Sequence, residues 1–586
     1  MKIFEKTLAL VLGFGLVATG TVSAREYDEP HRVPLSFDRY YNYPDLVAAF
    51  KTLEKAYPKF LRVETIGKSV QGRDLIVAII NNPDTGPELR KAAMYIDGNI
   101  HGNEVQGGEV CLYTAWYLLE NYGKIDKVTE LVNERVFYIV PVVNPDGRAW
   151  WFDMPNTSST SRSGLKPTDN DNDGLYDEDG YDDLDGDGYI CQMRKKVPFG
   201  NWRVSSEDPR LMERVPFGEV GDYILLGYEG IDNDGDGLIN EDGPGGYDPN
   251  RNWPSDWQPN YVQYGAGDYP LSLPESRAVA QFIMSHPNIA GVQSYHNSGG
   301  MILRGPGAES VGEYPYQDVR VYDRIGEIGE QILPFYRYMV IAKDLYTVHG
   351  GFVTWTYEGL GIFSFTNELW SSYEYFKKKP AESKKRDWRA SFLARQKDRM
   401  KFNDLVEMGD MFVDWHPYRH PTYGEIEIGG WKKWSARVAP VFALEELCHR
   451  NCAFTLYHAD QMPKPAIHEV RVWPLGKGVY RVRAVLANER IIPTISEQAR
   501  RNKLQRPDWA LISGKKVKVL AGGPVNDRWL SKMRPVKHHP EKIRLTDGIR
   551  GMSERVVEWI VQGSGKVTVA LDCVKGGRVE KEVRLR

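Results

Sequence analysis

The alternation of apolar and polar positions predicts an α/β fold over most of the chain. Apolar residues recur at helical spacing over residues 44–57, from Glu104 to Asn121 and from Glu275 to Ser285. Short apolar runs bounded by turn residues are typical of buried strands, and they cover residues 75–80, 92–96, 136–140, 291–295 and 363–365. Strands that alternate with helices indicate an α/β sheet covered by helices on both faces, and such a sheet binds ligands beyond the carboxyl ends of its strands.

Two segments depart from this α/β pattern. Residues 148–247 are acidic and rich in glycine, which predicts an insertion. After Met462-Pro463-Lys464-Pro465, short alternating strands such as 468–473 and 566–571 replace the helical periods. We therefore predict a separate β-rich C-terminal domain over residues 465–586.

The N-terminal residues have the features of a secretory signal peptide. Lys2 and Lys6 precede an uncharged run from Thr7 to Ala24, which ends in the small residues that a signal peptidase recognises. We predict that residues 1–24 are removed and that the protein is secreted or periplasmic. A membrane anchor is the alternative, although the run is slightly shorter than the about 20 residues of a membrane-spanning helix. No later segment approaches that length, so no transmembrane segment is expected in the mature chain.

The near-neutral net charge of −4 conceals two regions of opposite sign. Residues 169–187 contain ten acids and neither Lys nor Arg, whereas residues 500–555 contain 15 Lys or Arg and five acids. A balance this close to zero argues against nucleic-acid binding, which normally needs a basic surface. The basic C-terminal region is either an ordinary solvated surface or a docking surface for an anionic cell-envelope polymer.

Five cysteines are few for a secreted chain of 586 residues. A chain of this size has enough core to fold without a disulfide framework. Cys448 and Cys452 are four residues apart, which could place both on one helix face. There they could form a disulfide, bind a metal or remain ordinary thiols.

Three strand ends supply the residue types of a catalytic zinc site. His101 and Glu104 follow one predicted strand. His296 ends a second strand and Glu368 a third. A His and a Glu three residues apart can bind one zinc ion, and a distant His can complete a site with one position open for water. A carboxylate such as Glu368 is costly to bury within an apolar segment, which favours a functional position.

The pair Asn250 and Arg251 adds a group suited to binding a carboxylate through several hydrogen bonds. In their order, these features resemble the zinc carboxypeptidases related to carboxypeptidase A, the M14 metallopeptidases, from about Tyr40 to residue 460. The motifs of the resemblance are Ile66-Gly67-Lys68-Ser69-Val70-Gln71-Gly72-Arg73, His101-x-x-Glu104, Asn144-Pro145-Asp146-Gly147, Asn250-Arg251-Asn252, Ser294-Tyr295-His296 and Phe365-Thr366-Asn367-Glu368-Leu369. The resemblance implies a catalytic domain over residues 40–464, built on a mixed, twisted sheet sandwiched by helices and interrupted by the insertion.

The resemblance implies a role for each residue of the zinc site. His101, Glu104 and His296 would bind one catalytic zinc ion. Asp248 would orient His101 through a hydrogen bond. Glu368 would be the general base that takes a proton from the attacking water.

The resemblance also implies how a peptide is held. Asn250 and Arg251 would bind the terminal carboxylate, and Tyr346 matches the mobile tyrosine that closes over it. Arg194 is the candidate for the arginine that stabilises the developing oxyanion. Arg162 and Arg203 are the alternatives to it, because the insertion surrounds this position.

The side-chain pocket is expected to be apolar. Val353 falls where family members that prefer basic side chains have an acid, so the resemblance disfavours a basic preference. Leu303 and Ile341 are expected in the pocket wall, which favours apolar or aromatic C-terminal residues. Arg304 either meets an acidic side chain of the substrate or points to solvent.

Three aspartate-rich loops in the insertion are candidate calcium sites. Oxygen ligands at alternate positions followed by a glycine are typical of loops that wrap calcium. The candidate ligands are Asp169, Asp171, Asp173, Asp183, Asp185, Asp187, Asp232, Asp234 and Asp236. The closing Glu of an EF-hand is missing, since Gly180, Arg194 and Gly243 occupy its position. Bound cations would neutralise the clustered charge, whereas the alternative is a solvated acidic loop.

The sequence therefore predicts a secreted, zinc-dependent metallocarboxypeptidase, a hydrolase that acts on the C-terminal peptide bond of peptides or proteins. Its expected cofactors are one catalytic Zn²⁺ and structural Ca²⁺. A zinc amidase or peptidase that acts on cell-wall peptides is one alternative. A non-catalytic, calcium-dependent binding protein on a peptidase fold is the other.

Overall fold

The computed structural model describes residues 30–160, 162–371, 375–376, 388–526 and 532–586, with the backbone alone for residues 388–392. The predicted signal peptide, residues 1–24, lies outside the described residues. Within them, no helix is both long enough and apolar enough to span a membrane.

Helices and strands alternate through the first part of the described chain. The helices are α1 (Tyr43–Ala56), α2 (Gln106–Glu120), α3 (Asp126–Glu134), α4 (Pro145–Asp153), α5 (Pro274–Ser285), α6 (Tyr316–Ile332), α7 (Phe352–Glu358), α8 (Trp388–Leu405) and α9 (Val441–Asp460). The strands are β1 (Leu61–Lys68), β2 (Asp74–Ile80), β3 (Ala92–Gly98), β4 (Arg135–Val140), β5 (Gln192–Gly200), β6 (Trp202–Val204), β7 (Met212–Arg214), β8 (Gly221–Tyr228), β9 (Ile289–Asn297), β10 (Met301–Arg304), β11 (Arg337–Val340), β12 (Phe363–Leu369), β13 (Phe412–His420) and β14 (Gly424–Trp431). The three helices predicted from apolar spacing correspond to α1, α2 and α5.

The central sheet has eight strands in the order β1-β2-β4-β3-β9-β12-β10-β11. Strands β4, β3, β9 and β12 run parallel to one another, whereas the pairs β1–β2, β2–β4 and β12–β10 are antiparallel. One apolar core includes residues of α1, α2, α6 and α9, and a second includes residues of α5 and α7. The prediction of a mixed sheet sandwiched by helices is therefore confirmed.

The parallel strands bring the predicted site residues to one end of the sheet. β9 and β12 pair in a register that places His296 beside Glu368. β3 lies on the other side of β9, and the loop after β3 contains His101 and Glu104. The helix α2 starts directly after this loop and packs closely on β3, because a Cβ on Gly98 would lie only 2.5 Å from the backbone of α2.

The insertion forms a second sheet, which the local sequence pattern did not indicate. Strands β5 to β8 join β13 and β14 in the order β13-β14-β5-β8-β6-β7. β14 pairs antiparallel with β5, so a hairpin from residues 412–431 completes a sheet that begins about 200 residues earlier. The insertion is therefore part β-sheet and part loop.

The C-terminal region consists of two antiparallel sheets of four strands each, as the prediction of a β-rich region requires. Its elements are β15 (Pro465–Gly476), β16 (Val479–Asn488), α10 (Glu497–Asn502), β17 (Asp508–Ser513), β18 (Val517–Val525), β19 (Lys542–Leu545), β20 (Ser553–Gly563), β21 (Gly565–Cys573) and β22 (Gly577–Leu585). The sheet orders are β15-β16-β20-β18 and β19-β17-β21-β22, and both sheets contribute to one apolar core. The turn between β21 and β22 reaches the central sheet, where Nζ of Lys575 donates a hydrogen bond to the carbonyl oxygen of Ile289 at 2.6 Å.

All five cysteines are buried and free. Cys448 and Cys452 both lie on α9, as their spacing suggested, and they belong to the main apolar core. Of the three possibilities for this pair, the structure shows ordinary thiols within the core.

Candidate active site and cation-binding loops

Three buried side chains converge at the carboxyl ends of β3 and β9. Nδ1 of His101 lies 3.0 Å from Oε1 of Glu104, and Nδ1 of His296 lies 2.9 Å from Oε2 of the same carboxylate. The two Nδ1 atoms are 3.1 Å apart. Two imidazole nitrogens and a carboxylate form a donor set that zinc prefers. The structure thus brings the three predicted ligands together.

Asp248 fixes the orientation of His101. Its Oδ1 is 2.9 Å from Nε2 of His101, and a proton shared there leaves Nδ1 of His101 as a lone-pair donor facing Glu104. On the other ligand, Nε2 of His296 is buried and has no hydrogen-bond partner among the described residues. The Nδ1 atoms and the carboxylate therefore offer their lone pairs to one point, which fits a cation with nitrogen and oxygen ligands.

The charges around this point keep the carboxylates ionised. Burial raises the pKa of Glu104, but its interactions with the imidazoles of His101 and His296 outweigh burial and hold the pKa well below its ordinary value. Burial also raises the pKa of Asp248, and there the neighbouring cations, Arg162 first among them, hold the pKa well below its ordinary value. Both groups are therefore acceptors at neutral pH.

Glu368 lies beside the three ligands and lines the same cavity. Its carboxylate makes no hydrogen bond or ion pair with any described residue. Burial, reinforced by the negative charge of Glu104, raises the pKa of Glu368 to about 7. A group whose pKa lies near neutrality is suited to accepting and returning a proton.

Asn250 and Arg251 follow Asp248 and face the same cavity. Oδ1 of Asn250 accepts a hydrogen bond from the backbone N–H of Phe352 at 2.9 Å, and Nη1 of Arg251 donates to the carbonyl oxygen of Asn250 at 2.9 Å. A Cβ on Gly350 would lie 2.3 Å from the carbonyl oxygen of Arg251, so only glycine permits this packing. The two side chains are therefore held in place before a ligand arrives.

The site residues surround a cavity of about 190 Å³. Its apolar wall contains Leu303, Ile341 and Val353, the residues expected there. Tyr346 also lines the cavity and is 59% exposed. Arg304 takes neither of the two orientations expected for it. It is buried, and its Nε donates to the hydroxyl of Tyr338 at 2.6 Å.

The structure does not place Arg194 with the other site residues. Arg194 lies on β5 in the insertion sheet, where its Nε donates to Glu427 at 2.7 Å. Its guanidinium packs on the rings of Tyr223 and Trp415. The alternative Arg203 lies on β6 and forms an ion pair with Glu219. The prediction for the oxyanion position is therefore corrected, because these partners hold both arginines within the insertion.

Arg162 occupies the cavity instead. Its Nη2 lies 3.0 Å from Oδ2 of Asp248, and its Nη1 donates to Oε1 of Glu104 at 3.3 Å. Burial lowers the pKa of Arg162, but the two carboxylates outweigh it and raise the pKa above its ordinary value. A permanently charged guanidinium beside the zinc ligands is suited to stabilising an oxyanion.

Sequence reasoning missed a third arginine at the cavity, Arg437. It follows β14, and its Nη1 donates to the carbonyl oxygen of Asn297 at 3.3 Å. It lines the cavity together with Glu368 and His296. Its surroundings in the sequence, Trp434-Ser435-Ala436-Arg437-Val438, contain no motif that could have identified it.

Two of the three aspartate-rich loops pack against each other. Asp179 and Asp242 form an antiparallel bridge, in which the N–H of Asp179 donates to the carbonyl oxygen of Asp242. The N–H of Asn170 donates to the carboxylate of Asp242 at 2.8 Å. Residues 169–179 and 232–242 therefore form one paired-loop unit.

Carboxylates from both loops converge within the paired-loop unit. The groups whose ligand atoms lie within 4.8 Å of one another include Asp169, Asp171 and Asp173; Asp171, Glu178 and Asp242; Asp173, Glu178 and Asp234; and Asp179, Asp234 and Glu241. The four carboxylate oxygens of Glu178 and Glu241 are shielded from solvent and have no hydrogen-bond partner among the described residues. Desolvation, together with contact with Asp242, raises the pKa of Glu178 to about 7. Sequence reasoning missed Glu178 and Glu241, because it looked for the closing acid at the EF-hand position.

The first aspartate of each loop has the same local role. Asp169, Asp183 and Asp232 each accept hydrogen bonds from the N–H groups three and five residues later. The loop of residues 183–187 is not part of the paired-loop unit, and its Asp185 carboxylate lies 2.9 Å from Nε2 of His416. In the loop of residues 232–236, the carboxylate of Asp236 accepts a hydrogen bond from the N–H of Leu238. The nine candidate aspartates are therefore divided between the paired-loop unit and a separate loop beside His416.

Comparison with known sequence families identifies two regions of the chain. The model of the zinc carboxypeptidase family matches residues 46–394. A second family, described as a domain of unknown function, matches residues 464–584.

Individual relatives match over shorter segments. Carboxypeptidase D of Drosophila melanogaster is 34% identical over 142 residues, which are 24% of this chain and 10% of that protein. Human carboxypeptidase D is 36% identical over 109 residues, or 18% of this chain and 8% of that protein. The human carboxypeptidase N catalytic chain is 33% identical over 116 residues, or 20% of this chain and 25% of that protein. The aligned segments thus span a quarter or less of each of these curated relatives.

Several solved structures match more than half of the chain. Thrombin activatable fibrinolysis inhibitor is 21% identical, with a TM-score of 0.39, and the match covers 58% of this chain and 72% of that chain. Carboxypeptidase A from Helicoverpa armigera is 21% identical, with a TM-score of 0.39, and the match covers 58% of this chain and 68% of that chain.

Proposed function

The chain belongs to the zinc carboxypeptidase family, and we propose that it is a zinc-dependent metallocarboxypeptidase that hydrolyses the C-terminal peptide bond of peptides or proteins. The observation that carries this proposal is one cavity of about 190 Å³ that contains the three candidate zinc ligands, Glu368 and the Asn250–Arg251 pair. Zinc binding, proton transfer and recognition of a carboxylate are the three functions that removal of a C-terminal residue requires.

His101, Glu104 and His296 would hold the zinc ion. The convergence of their lone-pair donors supports this assignment, as does the hydrogen bond from His101 to Asp248. When bound there, zinc supplies Lewis-acid polarisation of the scissile carbonyl and acidifies water. The protein contributes the remaining steps through its own side chains.

Glu368 would take the proton from the attacking water and return it to the leaving amine. Its unpaired carboxylate and its pKa of about 7 support that role. Arg162 would donate hydrogen bonds to the oxyanion that develops on the scissile carbonyl. Its guanidinium is already held by Asp248 and Glu104, so little reorganisation is needed when that charge appears.

Asn250 and Arg251 would bind the terminal carboxylate of the substrate, with Tyr346 covering it. A guanidinium recognises a carboxylate through paired, charge-assisted hydrogen bonds. Such a clamp restricts the enzyme to chain ends. The wall formed by Leu303, Ile341 and Val353 supports a preference for apolar or aromatic C-terminal residues, because none of these three side chains can pair with a basic one.

Peptides with and without a free C-terminus test the proposal. The zinc-loaded protein should release the last residue of an N-blocked dipeptide and should leave the C-terminally amidated form intact. Arg251→Ala should lower kcat/KM by about tenfold or more, because charged hydrogen bonds contribute about 1.5–3 kcal/mol. Hydrolysis of cell-wall peptides alone would contradict the proposal and favour the alternative amidase.

We further propose that the paired-loop unit binds calcium. Oxygen ligands from flexible acidic loops are the environment that calcium prefers. Facing carboxylates repel one another unless a cation or a proton lies between them. The unpartnered oxygens of Glu178 and Glu241 support calcium as the neutralising charge.

The paired-loop unit is connected to the candidate active site at both ends. Arg162 precedes the loop of residues 169–179 by seven residues, and Asp248 follows the loop of residues 232–242 by six. Between them, the N–H of Lys166 donates to the hydroxyl of Tyr247 at 2.9 Å. Calcium bound between the loops would therefore hold together the two segments that position Arg162 and Asp248.

A secreted or periplasmic location fits the calcium proposal, because calcium is abundant outside the cytosol. The signal-like residues 1–24 support that location. The excess of Lys and Arg in residues 500–555 supports docking of the C-terminal domain to an anionic envelope polymer.

A further inference from the structure

Arg437 is an unassigned cation inside the candidate active site. It lines the cavity with Glu368 and His296, and it comes from a segment between the two regions that match known families. Of the three arginines at the cavity, Arg162 and Arg251 are both close to the carboxylate of Asp248. Arg437 has no carboxylate within 4.0 Å in the part of the chain that the structure describes.

The segment that contains Arg437 is anchored on both sides. The neighbouring residues Val438 and Ala439 are buried, and the hydroxyl of Tyr40 donates to the carbonyl oxygen of Ala439 at 2.6 Å. On the preceding side, the guanidinium of Arg399 donates to the carbonyl oxygen of Ser435 at 3.1 Å. These contacts hold the backbone of Arg437 at a defined place beside the cavity.

Most N–H donors of the Arg437 guanidinium have no hydrogen-bond partner among the described residues. Its one hydrogen bond to a described residue goes to the carbonyl oxygen of Asn297 at 3.3 Å. A guanidinium has five N–H donors, so most of them are available to a ligand.

The position of Arg437 relative to the clamp identifies the part of the substrate that it faces. Asn250 is hydrogen bonded to Phe352, so the clamp and the apolar wall that includes Val353 lie together on one side. Arg437 instead contacts Asn297, the residue after the candidate zinc ligand His296. A peptide whose last residue lies between the Asn250–Arg251 pair and the apolar wall would therefore direct its penultimate residue toward Arg437.

We propose that Arg437 is a specificity-determining residue that binds an acidic side chain on the acyl side of the scissile bond, so that substrates with Asp or Glu as the penultimate residue are preferred. This inference rests on the proposed carboxypeptidase function. A charge-assisted hydrogen bond to a planar guanidinium explains why a carboxylate is the matching group. Because Arg437 is partly exposed, the effect is about fivefold rather than larger, and it decreases as ionic strength rises.

Two N-blocked dipeptides that share a C-terminal Phe and differ only in a penultimate Glu or Gln test this inference, since the two side chains have the same shape. The wild-type protein should favour the Glu peptide in kcat/KM by about fivefold at low salt. Arg437→Gln should reduce that ratio to about one, and Arg437→Lys should keep part of it. Arg419→Gln, at a side chain that is 88% exposed on β13, is the matched control and should keep the full ratio.

Binding measurements separate this inference from the proposed function. Calorimetry with the Glu368→Gln protein should give tighter binding of the Glu peptide than of the Gln peptide, without any turnover. Hydrolysis of both peptides at equal rates by the wild-type protein would overturn the role of Arg437 and leave the carboxypeptidase function intact. An equal fall in kcat/KM for both peptides in Arg437→Gln would also overturn this role, because Arg437 would then support the site rather than select substrates. If neither peptide is hydrolysed, the carboxypeptidase proposal fails, and equal affinities in calorimetry would overturn the role of Arg437 as well.

Discussion

Arg162 and Asp248 form an ion pair across the base of the insertion, with Nη2 of Arg162 3.0 Å and Nε 3.1 Å from Oδ2 of Asp248. The two residues are 86 positions apart in sequence. Asp248 also orients the candidate zinc ligand His101. One ion pair therefore links the start of the insertion, its end and the metal centre.

The first prediction separates Arg162 from Arg194. Arg162→Gln should lower kcat by about 10²–10³, the cost of removing one donor to an oxyanion. Arg194→Gln should leave kcat within about twofold, because Arg194 faces Glu427 and two aromatic rings. It should instead lower the melting temperature, since the largely buried Arg194 guanidinium pairs with Glu427 and packs on two rings. Steady-state kinetics and thermal melts on both variants check the prediction, and a large loss of kcat in Arg194→Gln alone would restore the original assignment.

The second prediction concerns the general base. Glu368→Gln should lower kcat by about 10²–10⁴, the usual contribution of general base catalysis, and should retain one zinc per chain. Kinetics and elemental analysis measure the two quantities on the same sample. Glu313→Gln, an exposed position away from the cavity, is the control and should behave like the wild-type protein. Unchanged turnover in Glu368→Gln would exclude the proposed role.

The third prediction concerns calcium. Adding calcium to protein freed of it should raise the melting temperature by several degrees, because a ligand at 100 times its Kd stabilises the folded state by about 2.7 kcal/mol. The double variant Glu178→Gln and Glu241→Gln should lose most of this shift, whereas Asp414→Asn should keep it. Zinc content is measured throughout, so that loss of the catalytic metal is not mistaken for loss of calcium. A melting temperature that is the same with and without calcium would contradict the proposal.

The fourth prediction concerns the buried Lys575. Burial lowers its pKa to about 7, so the folded state binds this proton less tightly than the unfolded state does. The contribution of Lys575 to stability is therefore least favourable below pH 7 and improves by about 1.4 kcal/mol per pH unit as pH rises toward the ordinary lysine pKa near 10.4. Lys575→Met should be more stable than the wild-type protein at pH 6, and the difference should shrink by pH 9.

Urea unfolding at several pH values measures that difference directly. Lys566→Met is the matched control, because the Lys566 side chain is 63% exposed and pairs with Glu582 on the surface. It should leave the pH dependence unchanged. A constant difference between Lys575→Met and the wild-type protein from pH 6 to pH 9 would show that Lys575 stays charged.

Local patterns explain why much of this site was visible in the sequence. His101 and Glu104 share one short loop, and His296 and Glu368 end apolar strands, so each position followed from its immediate neighbours. Strand pairing then brings them together, because parallel strands end at the same side of a sheet. Five of the eight strands of the central sheet, β2, β3, β4, β9 and β12, were predictable for the same reason, as were the helices α1, α2 and α5.

Long-range packing explains what the sequence did not reveal. No local motif distinguishes Arg162 from Arg194, and only folding places one of them beside Asp248. The pairing of β14 with β5 joins segments that share no local signal. Glu178 and Glu241 became recognisable as cation ligands only when the two loops were seen to face each other.

The sheet shared by β5 and β14 also has a consequence for how the chain is made. On the ribosome, the edge of β5 stays uncovered until roughly 200 further residues have been synthesised, which takes about 10–40 s at 5–20 residues per second. An uncovered strand edge is a template for pairing with another chain. Nascent chains are therefore most prone to aggregate during this interval, and release of a fragment that ends before residue 412 leaves that edge permanently open.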